Sequence, residues 1–110
     1  MSTIAYEVLS QAGLVMKRGE PVEIRNVVGM TFGVHCNAHA TDDERFVVTN
    51  IETGMAVGKG ESREKAIECA RKEMRRAARR GTLVKTFEAA MQLRGAILAG
   101  VGDARAEVAA

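Results

Sequence analysis

Three kinds of residue in this 110-residue chain could do chemistry, and their spacing treats each differently. His35, Cys36 and His39 lie close together, and Cys69 could join them as a fourth ligand of a tetrahedral zinc site. His35 and Cys36 are adjacent in a run with strand alternation, however, so their side chains leave on opposite faces. Cys36 shares the apolar face with Phe32 and Val34, and the expectation is a core cysteine, a surface histidine and no metal. Asp42, Asp43 and Glu44 are consecutive and cannot converge on one cation from regular structure. They read as a solvated loop, or as a patch imitating nucleic acid if the chain is an inhibitor. No acid–base partner marks either thiol as a nucleophile, and the sequence holds no Ser-His-Asp, HExxH, P-loop or paired-carboxylate arrangement. The expectation is a non-enzymatic protein without a cofactor.

The third kind is cationic. Net charge is only +2 but unevenly spread. Residues 1–61 carry five Lys/Arg against eight Asp/Glu, a balance of −3, and residues 62–80 carry eight against three, a balance of +5. At helical spacing Lys65, Lys72, Arg75, Arg76 and Arg79 gather on one face, with Arg80 at its end and Lys59 and Arg63 in the turn leading into it. Such a stripe neutralises phosphates and releases counterions, and it equally suits docking on a protein that itself holds nucleic acid. The bland alternative is a solvated face softened by Glu68 and its neighbours. No aromatic residue interleaves with these charges, so recognition of single strands by base stacking has little to work with.

The elements that must position these residues are those of one small domain, residues 1–100, with a flexible tail at 101–110. Ser2 or Thr3 can cap a short helix bearing Ile4, Ala5, Val8, Leu9 and Ala12 on one face, with Gly13 past its end. Gly19-Glu20-Pro21 reads as a breaker. Val22 and Ile24, then Met30, Phe32, Val34 and Cys36, are strand material; the alternation slips at residues 25–29, giving two short strands or one bent strand. Phe46–Asn50 is a strand, Glu52-Thr53-Gly54 a turn, and Met55 and Val57 begin the pairing strand. Ser62 caps a helix over residues 63–80, whose apolar face is Ala66, Ile67, Ala70, Met74, Ala77 and Ala78 and whose stop is Gly81. Thr82 opens a last helix. Its apolar residues spread beyond one face, and Phe87, Met91, Leu93, Ile97 and Leu98 are a candidate dimer surface. No apolar run reaches the length of a membrane span and the first residues lack a secretory pattern, so a cytoplasmic location with reduced thiols is expected.

The run Gly58-Lys59-Gly60-Glu61-Ser62-Arg63-Glu64-Lys65-Ala66-Ile67-Glu68-Cys69-Ala70, behind the Phe46–Val57 hairpin, resembles the closing signature of the double-stranded RNA-binding domain. Its glycines, Ser62, Ala66 and the small pair Cys69-Ala70 match. Of the three phosphate-gripping lysines at the helix start, only Arg63 corresponds, with Glu64 and Ile67 at the other two places. The resemblance implies an α+β fold in α-β-β-β-α order, here with an added C-terminal helix, and a three- to four-stranded antiparallel sheet packed by helices. It also implies phosphate binding. The same hairpin feeding Ser-Arg-Glu-Lys-Ala-Ile is similar to small phage and mobile-element proteins of the anti-CRISPR type. Two functions are therefore expected: binding of nucleic acid or a nucleoprotein through Lys59, Arg63, Lys65, Lys72, Arg75, Arg76, Arg79 and Arg80, or inhibition of a host defence protein.

Overall fold

Alternation of apolar side chains, not helical spacing, governs the first half of the chain. The computed structural model describes residues 3–10, 13–37 and 44–109, with side chains as far as Ala99. Five strands come first, β1 (Ile4–Ser10), β2 (Gly13–Val22), β3 (Phe32–Cys36), β4 (Phe46–Asn50) and β5 (Ala56–Gly60). Two helices follow, α1 (Arg63–Arg80) and α2 (Leu83–Ala109). The strands form one antiparallel sheet in the order β1-β2-β3-β4-β5, each paired with its neighbour in sequence.

This order corrects the α-β-β-β-α expectation: the fold is α+β, but with five strands, all preceding both helices. The expected first helix is β1, and Leu14 to Pro21 belong to β2. Ile4, Tyr6 and Val8 satisfy a two-residue period as well as the helical one, and a lone helix of ten residues is marginal in water. Docking decides between them. As a strand residue Tyr6 is 3% exposed, with its ring against two glycines. A Cβ on Gly33 would stand 2.5 Å from Tyr6 Cε1, and one on Gly19 would stand 2.6 Å from the Tyr6 hydroxyl oxygen.

The slip in alternation at residues 25–29 is a loop between β2 and β3, so this region makes two strands. Asn26 ties it: Nδ2 donates to the carbonyls of Ile24 (2.9 Å) and Met30 (3.1 Å), while Oδ1 accepts from the amides of Val28 (3.2 Å) and Met30 (2.8 Å). The four-bond pattern satisfies the full capacity of one carboxamide.

One face of the sheet receives α1. Phe32, Val34 and Val48 meet Ala66, Ile67, Ala70 and Met74, and Ile24 and Leu83 close the cluster at its edge. The helix begins at Ser62, whose hydroxyl accepts the Lys65 amide at 3.2 Å, and ends at Gly81 with φ 68°. The other face is covered by the β1–β2 hairpin. β2 pairs with β1 as far as Gly19 and with β3 from Glu20, and the sheet curls until the Leu9 amide donates to the Gly54 carbonyl in the β4–β5 turn at 2.7 Å. Beneath the hairpin His35, Val47 and Thr49 are buried with Tyr6. The expected assignment of the His35-Cys36 pair is thereby reversed. His35 is buried because the hairpin covers its face, and Cys36, the last residue of β3, is exposed.

Candidate nucleic-acid interface

The cationic side chains are placed by the way α1 sits on the sheet. Ala66, Ala70 and Met74 face the strands, so the helical repeat turns Lys72, Arg75, Arg76, Arg79 and Arg80 outward, all exposed. Together these five line a shallow depression of about 480 Å³, with no contribution from another of the described residues. Lys72 reaches Glu68 at 3.6 Å and Arg76 reaches Glu73 at 3.0 Å, both within the helix. Arg75, Arg79 and Arg80 make no ion pair among the described residues. Like charges four apart, as at Lys72/Arg76, Arg75/Arg79 and Arg76/Arg80, cost an isolated helix roughly 0.2–0.5 kcal/mol per pair. Arg79 and Arg80 recover part of that from the helix dipole, since they stand in the last turn.

The remaining cations of the expected site are placed elsewhere. Lys59 points from β5 to Glu44 at 2.8 Å, and the Arg63 Nε donates to Glu20 of β2 at 3.1 Å. Lys65 is hydrogen-bonded to Glu61; that bond and its charge raise the Lys65 pKa and lower that of Glu61. The structure therefore brings together the C-terminal half of the stripe and leaves its N-terminal half compensated by local carboxylates.

Gly58 and Gly60 lie inside β5, not in a phosphate-cradling loop. Their faces are filled by the helix backbone: a Cβ on Gly58 would come within 2.5 Å of the Ala70 nitrogen, and one on Gly60 within 2.6 Å of the Ala66 nitrogen. They set the height of α1 above the sheet.

Sequence reasoning missed the groove next to the stripe. An open trough of about 1560 Å³ runs between the 23–31 loop and α1, floored by Ile24, Met30, Met74 and Leu83 and edged by Arg25, Arg71 and Arg75. Arg71 Nη2 lies 3.4 Å from the Glu23 carbonyl. The available signal was the spacing of Arg71, one turn before Arg75.

The other expected sites separate. Among the described residues no three His, Cys, Asp or Glu side chains are grouped as metal ligands; His39, Asp42 and Asp43 lie outside the described residues. Burial, helped by the Lys17 charge, lowers the His35 pKa, and burial pushes the Tyr6 phenol up to about 12. The Tyr6 hydroxyl is 3.3 Å from His35 Nδ1. With both groups held neutral under the hairpin, the pair braces the fold. On α2, Phe87 and Ile97 are half-buried, while Met91, Leu93 and Leu98 are exposed. Arg94 interrupts the apolar stripe because it reaches back to Glu7 of β1 at 2.7 Å. No helix among the described residues is long and apolar enough to cross a membrane.

No protein-family model matches the chain, and neither a curated protein nor a solved structure shows significant similarity to it.

Proposed function

We propose that the chain is a non-catalytic binding protein that holds the phosphate backbone of duplex nucleic acid on the outer face of α1. The observation that carries this reading is the group of three exposed arginines, Arg75, Arg79 and Arg80, without ion-pair partners among the described residues and flanked by Lys72 and Arg76. A helix that concentrates like charge at this density gains from an anionic ligand, which converts mutual repulsion into charge-assisted hydrogen bonds. Arginine also presents a planar fork of donors suited to phosphate oxygens. The stripe offers no aromatic platform: Tyr6 and Phe32 are buried, and Phe46 and Phe87 are half-buried on other elements. Contacts of this kind position a backbone without reading bases, so the binding is insensitive to sequence.

The test is fluorescence anisotropy with labelled duplex DNA and duplex RNA across a salt series. Three to five phosphate contacts give a slope of log K against log salt of roughly −3 to −4.5. Arg75→Glu with Arg79→Glu abolishes binding at low salt, whereas Arg63→Gln, which touches a residue already paired with Glu20, changes it little. Absence of binding to either duplex at low salt overturns the proposal, as does unchanged binding by the double variant. Stable co-purification with one host protein after nuclease treatment, combined with no duplex binding, would point instead to an inhibitor.

A further inference from the structure

The trough between the 23–31 loop and α1 joins two properties that the basic stripe keeps apart, apolar surface and uncompensated positive charge. Arg25, Arg71 and Arg75 stand exposed at its edge, and the lining sets a single carboxylate, Glu23, against them. Arg25 and Arg75 make no ion pair among the described residues. Arg71 meets the Glu23 backbone carbonyl at 3.4 Å, a neutral partner that leaves its charge in place. The same trough presents apolar side chains. Val22, Met30 and Ile51 are half-buried, and Val27, at 86% exposure, is the most exposed large apolar side chain among the described residues. The four hydrogen bonds of Asn26 set the loop carrying Val27 in one shape, so docking against it requires little further ordering.

We propose that this trough docks an acidic peptide segment of a partner protein, with its apolar side chains on Val27 and Met30 and its carboxylates on Arg25, Arg71 and Arg75. Charge complementarity selects the occupant, because three arginines against Glu23 give the lining a net charge of +2. The planar fork of each guanidinium matches the two oxygens of an Asp or Glu carboxylate. Size and shape agree. About 1560 Å³ exceeds the roughly 300–1,000 Å³ of small-molecule pockets, and an open trough suits a length of chain better than an enclosed ligand. A nucleic-acid backbone is the poorer fit here, since it would lay phosphates over apolar side chains that offer them no donors.

Arg75 lines both the trough and the depression of the basic stripe, whereas Arg79 and Arg80 line only the depression and Arg25 and Arg71 only the trough. That division separates docking from adsorption, because an acidic peptide held by charge alone would settle on the stripe. The inference adds a protein partner and holds whether or not α1 binds a duplex.

The probe is a displayed library of random linear peptides selected on the immobilised full chain. Enriched peptides are expected to combine apolar residues with Asp or Glu, and the strongest, made with a fluorescent label, is titrated by anisotropy. Arg25→Glu with Arg71→Glu weakens it at least about tenfold by opposing like charges, and Val27→Ser weakens it about fivefold by removing apolar contact. Arg79→Glu with Arg80→Glu, outside the trough, changes it less than about twofold. All five side chains are exposed, so the variants keep their fold, checked by urea midpoint. Should the Arg25, Arg71 pair lower that midpoint, Arg25→Glu alone, which breaks no hydrogen bond among the described residues, carries the comparison. A selection that enriches nothing over the bare support overturns the proposal, as do enriched peptides without acidic residues. So does a peptide that the Arg25, Arg71 variant binds as well as the wild type, or one that the Arg79, Arg80 variant loses equally.

Discussion

Replacing Gly58 by alanine probes the close approach of α1 to β5. The added methyl would stand 2.5 Å from the Ala70 nitrogen, 2.7 Å from the Ala66 oxygen and 2.8 Å from the Ala70 Cα. Carbon contacts are comfortable at about 3.5–4.0 Å, and these neighbours are helix backbone that no rotamer change can move. The helix must therefore withdraw by about 1 Å, which loosens Ala66, Ala70 and Met74 against Val48 and Phe32. Overpacking of this type costs about 2–3 kcal/mol, and the loss of glycine freedom in the unfolded chain returns about 0.5 kcal/mol. The net expectation is a loss of about 2 kcal/mol. Gly95 is the internal control, because it lies in the interior of α2 where an added Cβ would meet nothing within 4 Å beyond its own helix turn, and alanine there stabilises by roughly 0.5–1 kcal/mol. Urea unfolding of both variants at dilute protein, followed by circular dichroism, separates them by about 3 kcal/mol at unchanged m. A Gly58→Ala midpoint equal to or above that of the wild type would refute the reasoning, because the helix would then have room the geometry denies it.

Three further predictions concern local devices. Asn26→Ala removes all four hydrogen bonds that tie the 23–31 loop and is expected to lose about 2–3 kcal/mol in the same unfolding assay; Asn26→Asp, which keeps the acceptor, loses less. Ser62→Ala deletes the cap of α1 and costs about 1 kcal/mol, with Ser62→Asp close to wild type. Stability falls with acid in two stages. The His35 pKa is lowered in the fold, so the unfolded chain binds the proton more readily and stability declines as pH drops below the ordinary value of 6.5. Partial burial raises the Glu52 pKa, but hydrogen bonds from the Thr31 side chain and amide and from Asn50 outweigh it and hold the carboxyl below its ordinary 4.5, giving a second decline at lower pH. In a pH series of urea midpoints, His35→Gln removes the first stage and Glu52→Gln the second.

Elements whose signals are local were legible. The hairpin of β4 and β5, the positive-φ Gly54 at its turn, the Ser62 cap, the span of α1 and the left-handed Gly81 at its end all follow from residues within a few positions of one another. The first twenty residues were not legible, because Ile4, Tyr6 and Val8 fit two periods and the choice depends on glycines far along the chain, at Gly19 and Gly33. The fate of His35 and Cys36 was hidden for the same reason: alternation tells which two faces exist, not which one a distant hairpin will cover. On the candidate interface, spacing found the arginines of α1. It could not tell Arg63, drawn to Glu20, from Arg75, which has no ion pair among the described residues, since Glu20 is 43 residues away in sequence.

The Glu7–Arg94 ion pair joins the first strand to the last helix across 87 residues of chain. Every sheet pairing, by contrast, links neighbours, so the meander can form hairpin by hairpin as the chain is made, with short loops to close. The β1–β2 hairpin can shield its face of the sheet early, while the face of Phe32 and Val48 stays open until α1 emerges. Arg94 arrives after all of this and clasps a strand already in place. The guanidinium thus acts as a late latch, one that a chain truncated within α2 would lack even though its sheet and basic helix were whole.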